Sequence, residues 1–285
     1  MRNLIAGTLL ILAMAASAGA QQSNFQISPA PITYPYFEPR RFDAKVTGTY
    51  LSMKSDDGSF SIGGGGANGA LRYAISELFA VDGTLGIMVL SGKMPGFAMP
   101  FYYSGTFWTP HVTGKADLTG FSMPFSFNLE VQPVHTRGGS LILFGGPLLT
   151  FNYLSIATPY YATAGLTTAK RTLFTTDTTM LMGGVQFGAQ GGINAGNFKF
   201  APFIMMNTQS GAATETFDSG YSGTTSYVGN TTVTINPFTT TSMGMDIIYT
   251  PWNLSFGTLF QQMAAQGSNK GVSTTLLQLS WHFRK

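Results

Sequence analysis

The sequence predicts an all-β chain, a transmembrane antiparallel up-and-down β-barrel of about ten strands, and three observations predict it. Apolar residues recur with period two over most of the chain after residue 41. The opposite face of those segments is small or polar, with few charges. Short and long connections alternate along the chain. Composition points the same way. Only 9% of the 285 residues are charged, against roughly a quarter in an ordinary soluble domain. Gly (35) and Phe (23) are both abundant.

Residues 1–20 read as a signal peptide. Arg2 is basic, 4–16 is apolar, and Ala18-x-Ala20 fits the small-residue cleavage rule. Residues 21–41 interleave Pro29, Pro31, Pro35 and Pro39 with Tyr34, Tyr36 and Phe37. Prolines so spaced prevent helix and remove ladder donors, so this segment reads as a Pro-rich periplasmic leader. A plug inside the structure that follows, or a partner-binding strip, is the alternative. Residues 42–285 are assigned to the barrel.

In the clearest segment Phe121, Met123, Phe125, Phe127, Leu129 and Val131 share one face, against Ser122, Pro124, Ser126, Asn128 and Glu130. Strand candidates lie at about 42–53, 64–76, 79–91, 117–132, 140–156, 174–192, 197–208, 233–250, 253–265 and 272–283. Each is long enough for the roughly 9–11 residues that a tilted strand needs to cross a bilayer. Blurred ends at the fifth, sixth and eighth leave eight or twelve strands open. Tight joints at 76–78, 133–139, 193–196 and 251–252 alternate with polar stretches at 54–63, 92–116, 157–173, 209–232 and 266–271. A membrane barrel makes turns at one rim and loops at the other in this way. A soluble sandwich would carry Lys and Glu on its exposed face; here that face is Gly, Ser, Thr, Asn and Gln. No run approaches the roughly 18 apolar residues of a membrane helix.

The final stretch Leu277-Gln278-Leu279-Ser280-Trp281-His282-Phe283 resembles the C-terminal strand by which bacterial outer-membrane β-barrel proteins are recognised for assembly. Leu277, Leu279, Trp281 and Phe283 carry the resemblance. The sequence departs from the usual pattern in that Arg284 and Lys285 follow the last aromatic. Tyr73–Asp82, a tight turn between a Tyr-ended and a Phe-started strand, is similar to the hairpins of small, porin-like outer-membrane barrels. The resemblance implies an outer-membrane location after export, contact with outer-membrane lipid, and the barrel-assembly machinery as a partner of the last strand.

With the apolar face outward, Asp43, Lys45, Arg72, Asp82, Glu130, Lys199 and Asp246 point inward near the short-turn rim. Mixed signs at one level predict a salt-bridged belt, either structural or a weakly selective constriction. Leu51, Met53, Met88, Leu90, Leu118, Met180, Met182 and Met205 are inward nearer the other rim, as packing or as an adaptable apolar conduit. Ten strands enclose little space beyond side chains, which excludes a wide porin. Outer loop 92–116 concentrates Phe97, Phe101, Tyr102, Tyr103, Phe107 and Trp108, as an inward lid, a bilayer rest or a partner contact. Loop 209–232 reads as mobile.

The remaining signals exclude more than they assign. Cys is absent, so there are no disulfides, thiolate sites or lipidated cysteine. His111, His135 and His282 are far apart in sequence and lack metal or triad spacing. Surface proteases of this barrel size need paired acids and a His at the outer rim; Asp56-Asp57 has only His111 to join it. Gly63–Gly66 lacks the Lys of a phosphate loop. No basic cluster could track nucleic acid. The expectation is a non-enzymatic barrel with no metal or cofactor, a narrow pore passing small solutes. A closed barrel presenting the aromatic loop, or a conduit for small hydrophobic molecules, is the alternative.

Overall fold

The computed structural model describes residues 34–103, 106–168, 172–220, 227–263 and 271–284. The expected signal peptide and the first part of the leader, 21–33, lie outside them. From residue 42 the chain is almost wholly strand. In order come β1 (Phe42–Ser55), β2 (Ser61–Ala74), β3 (Phe79–Met94), β4 (Phe101–Tyr103), β5 (Thr106–Val112), β6 (Ala116–His135) and β7 (Gly139–Ala164). Then follow β8 (Thr167–Thr168), β9 (Thr172–Ala195), β10 (Phe198–Asp218), β11 (Tyr227–Tyr249), β12 (Leu254–Met263) and β13 (Val272–Arg284).

Ten of these are staves of a closed antiparallel barrel; β4, β5 and β8 are short additions at one rim. Each stave pairs with its neighbours in the chain, β6 following β3 and β9 following β7. The ring closes where β1 meets β13, in register from Asp43 opposite Arg284 to Ser55 opposite Val272. No helix among the described residues is long and apolar enough to cross a membrane.

Strand pleating explains the inside-out distribution of hydrophobic side chains. Successive residues point to opposite faces, and a closed sheet has one face inward. Val46, Tyr50, Leu71, Leu85, Val89, Phe125, Leu129, Val185, Phe256, Leu279 and Trp281 are all exposed on the outside. An apolar surface that encircles the molecule far exceeds what a water-soluble monomer shows, and suits a hydrocarbon solvent. Aromatic rings rim its short-turn edge: Phe42 with Tyr73, Phe198 with Tyr249, and Tyr249 with Trp252.

The short joints lie at 75–78, 136–138, 196–197 and 250–253. Two of them need a left-handed residue, supplied by Gly196 at φ 60° and Asn253 at φ 52°. This rim is the turn end and the opposite one the loop end.

The staves are unequal at the loop end. β12, β13, β1 and β2 have 10, 13, 14 and 14 residues, whereas β7, β9, β10 and β11 have 26, 24, 21 and 23. The long four are contiguous and raise a wall on one side. This corrects two sequence expectations. Stretch 157–173 is mostly strand, and 209–218 and 227–232 are the arms of a paired hairpin. The mobile-loop reading of 209–232 therefore fails over those arms. Their outward residues, such as Ser210, Thr214 and Thr216, stand beyond the apolar belt and need no hydrophobic character, so the strand signal there is weak.

Gly63–Gly66 lies inside β2. At Gly64 and Gly66 a Cβ would run into the carbonyl oxygens of Val89 and Ile87, so glycine permits the tight approach of β3.

Candidate functional site in the lumen

The inward residues change character from rim to rim. Along β1 they read Asp43, Lys45, Thr47, Thr49, Leu51, Met53 from the turn end upward, all buried. Along β13 the order is His282, Ser280, Gln278, Leu276. The lumen is thus filled in layers: charged, then polar, then apolar, with an aromatic layer above.

All seven belt residues lie in the charged layer, none more than 9% exposed. Lys45 Nζ is 2.8 Å from Asp246 Oδ2, and Arg72 Nε is 2.6 Å from Glu130 Oε2. Asp43 lies between two guanidinium groups, 3.7 Å from Arg72 Nη1 and 2.7 Å from Nε of Arg284. Asp82 accepts the Asn128 amide at 2.9 Å, and Asn128 accepts that of Gln186 at 2.9 Å, which links charge to the polar layer. Opposite charges so close favour one another strongly in this low dielectric, and that offsets the desolvation of each.

Lys199 is held differently. Its ammonium donates to the Tyr36 hydroxyl at 2.9 Å and stands 4.2 Å from the Tyr36 ring centre and 5.1 Å from that of Tyr34. These tyrosines belong to segment 34–41, which enters the turn-end mouth. Arg284 stacks 4.0 Å over Tyr34, and Arg72 Nη1 donates to the Tyr34 carbonyl at 3.0 Å. Gln132 clamps Phe37, accepting its N–H at 3.1 Å and donating to its carbonyl at 3.2 Å. The Phe37 ring is buried with Ala74, Ala80 and Ile142. Tyr36 stacks on His135 at 4.8 Å. Burial alone would push the Tyr36 phenol up, but hydrogen bonds and charge from Lys199 and Arg284 outweigh it and hold it below the ordinary tyrosine value. Beside the segment is a cavity of about 460 Å³ lined by Phe37, Glu38, Pro39, Glu77, Leu78, Gln132 and His135.

Seven of the eight apolar residues placed inward from the sequence are in one buried cluster, with Ile62, Leu154, Ile156, Phe203, Phe238 and Leu259, and the eighth, Met205, is buried outside it. Above it Met99, Phe101, Trp108, Tyr160, Phe174 and Phe217 form a second cluster, with Phe97 packed against it. The loop that carries the predicted aromatics is thus partly a hairpin, β4 with β5, joined to the wall where Thr109–Val112 pair with Tyr160–Thr163. Phe101 and Trp108 turn inward as a roof, whereas Phe107 is 46% exposed. The side chains of Tyr102 and Tyr103 lie outside the described residues.

Between the two clusters sits Glu215, which sequence reasoning missed. It points inward from β10, is 1% exposed, and among the described residues nothing donates to its Oε2. The available signal was the alternation Ala213, Glu215, Phe217 against Thr214, Thr216. Arg284, which departs from the usual terminal pattern, completes the belt through Asp43.

The histidines stay apart in role. His282 shares a 2.8 Å hydrogen bond with Ser255, and His111 stacks on Tyr161 and bonds Thr163 Oγ1 at 2.9 Å. Asp57 caps its own turn through the Ser59 N–H. Among the described residues no three His, Asp or Glu side chains gather closely enough to hold a metal.

No model of a known protein family matches the chain, and no curated protein does. Solved structures do match. The outer membrane protease OmpT of Escherichia coli aligns with a TM-score of 0.51 at 8% identity, covering 92% of this chain and 100% of that one. The fold is that of the outer-membrane barrels. An outer membrane channel from Pseudomonas putida F1 aligns at 0.36 and 8% identity, over 90% of this chain and 100% of its own. The toluene transporter TbuX of Ralstonia pickettii aligns at 0.35 and 8% identity, over 87% and 90%. At such identities the likeness is one of fold alone.

Proposed function

We propose that the protein is an outer-membrane barrel that is closed across the bilayer and works at its loop end, as a surface-interaction protein. One observation carries this reading: the inward side chains fill the lumen layer upon layer, and segment 34–41 covers the turn-end mouth. A narrow pore for small solutes, the first expectation from the sequence, would require a polar solute to pass an apolar layer of buried Leu, Met and Ile side chains. The surface on offer also differs from the sequence reading. The roof hairpin hides Phe101 and Trp108, so the wall of β7, β9, β10 and β11 is what stands beyond the belt.

The conduit reading draws support from the five methionines of the apolar cluster, Met53, Met88, Met180, Met182 and Met263, since thioethers adapt to guests. The charged layer beneath them favours holding an apolar molecule over passing it. Non-enzymatic action and an outer-membrane location after export belong to the same proposal, as do lipid contact and assembly through β13.

The test is single-channel conductance of the detergent-folded mature protein in a planar bilayer, with folding verified by heat-shifted gel mobility. Silence is the expected result. Discrete steps that scale with salt would restore the pore.

A further inference from the structure

At the turn end Asp43, Glu130 and Asp246 each meet a cationic side chain within 2.8 Å. The fourth acid there, Asp82, has no ion pair among the described residues but accepts the Asn128 amide at 2.9 Å; neither kind of partner is found among them for Glu215. Its carboxylate is as deeply buried as theirs, yet nothing among the described residues donates to Oε2. Among the described residues desolvation is the cause that acts on it, and it pushes the carboxyl up to about 7. Across the sheet it faces Thr178 and Thr231, which bring no charge. A buried acid left so is costly unless another group completes it.

What surrounds Glu215 says what kind of group that is. The next inward residue on its strand is Phe217, which ends an arc of rings along the upper wall. Phe101 lies 6.2 Å from Tyr160, Tyr160 6.2 Å from Phe174, and Phe174 6.3 Å from Phe217, measured between ring centres. Aromatic faces attract cations, and a carboxylate beside them fixes the position of the charge. The chain uses this chemistry at its other end, where Tyr34 and Tyr36 hold Lys199 and Arg284. Below Glu215 the surroundings are apolar: Ala213 is the next inward residue, opposite Met180. A guest for this place has a positive head and an apolar body.

Room for it comes from the elements most able to shift. Met180 has three rotatable bonds. Among the described residues the backbone of the roof hairpin pairs with the wall through Thr109–Val112, and β4 pairs with β5 alone, the rest of the contact being side-chain packing of Phe101 and Trp108.

We infer that the loop end of the lumen is a binding site for small organic cations with an apolar body, in which Glu215 pairs with the charge and the Phe174–Phe217 arc packs on the cation. This deepens the surface-interaction reading by naming what the loop end takes, and it rests on that reading only for the site's facing outward.

The experiment uses phenyltrimethylammonium and its uncharged carbon isostere, tert-butylbenzene. Trp108 fluorescence of the detergent-folded protein reports binding, with the outward Trp252 and Trp281 replaced by Phe. Saturable binding of the cation is expected, with the isostere weaker by about tenfold or more. Glu215→Gln should abolish that preference, leaving the two probes alike. Phe217→Leu should lower it while retaining the acid, and heat-shifted mobility establishes that each variant is folded. Equal binding of the cation by Glu215→Gln and the parent would overturn the inference, as would no saturable signal in the parent. Conductance is read separately. Channel steps with intact cation binding would sink the closed-barrel reading alone, and lost binding in a silent bilayer would sink this one alone.

Discussion

Three of the four buried acids at the turn end of the lumen touch a cation and the fourth, Asp82, accepts the Asn128 amide, whereas the buried acid at the loop end has neither among the described residues. The two regions share strands, burial and inward direction, so the difference comes from what lies outside the wall. Around Asp43, Glu130 and Asp246 the outside is the apolar belt, with Phe42, Leu129 and Met245 on neighbouring outward positions. A charge there has hydrocarbon beyond the sheet and must be paired or hydrogen-bonded from within. Around Glu215 the outward neighbours are Thr214 and Thr216, on a stretch that rises past the belt. Water lies close beyond that wall, and the fold tolerates an acid completed by something other than itself.

Arg72→Ala should have the largest effect. It removes the partner of Glu130, one of two partners of Asp43, and the donor to Tyr34. Breaking a buried pair costs about 3–5 kcal/mol, to be read as a lower urea midpoint for loss of heat-shifted mobility. An unchanged midpoint would mean that the turn end is no more integrated than the loop end. The same variant should remain silent in a bilayer, because the apolar layer above the charges is untouched.

Met182→Ala attacks that layer. Truncating a buried Met costs about 2–5 kcal/mol. If conductance then appears, the apolar layer is the barrier; if Arg72→Ala alone produces it, the charged layer is.

Glu215→Gln sharpens the contrast through pH. Its folded-state carboxyl titrates at about 7, above the ordinary 4.5. The native state therefore holds a proton that the unfolded chain releases, and stability falls as pH rises from 4.5 to about 7, then levels. The variant should lose this slope and gain on the order of 1 kcal/mol at pH 8. A parallel slope in parent and variant would assign the pH dependence to other groups.

Tyr36→Phe is the mildest change. It keeps the ring over Lys199 and removes the 2.9 Å hydrogen bond. A loss of about 0.5–1.5 kcal/mol is expected from the same urea midpoint, and a larger one would mean that the hydroxyl matters more than the ring.

The membrane-spanning part of the fold was legible because period two applies to both faces of a stave. Once Phe125 and Leu129 are outward, Asn128 and Glu130 are inward, and the belt follows without further information. The wall was not legible, since beyond the bilayer neither face must be apolar and Thr214-Glu215-Thr216 reads as loop. Segment 34–41 was ambiguous for another reason. Its prolines report an extended backbone, but its anchors, Arg72, Gln132, Lys199 and Arg284, come from four staves. No local pattern announces a site assembled from such distances. Arg284 was hidden in the same way, because its partner Asp43 lies 241 residues earlier.

That separation has a consequence in time. β1 and β13 join residues from opposite ends of the described chain, and loop-closure entropy makes such pairings slow. Until they meet, Arg284 is far from Arg72, and Tyr34 has no place that offers both. The stack of Arg284 on Tyr34 thus forms only when the ring has shut, whereas the Gln132 clamp on Phe37 does not wait for it.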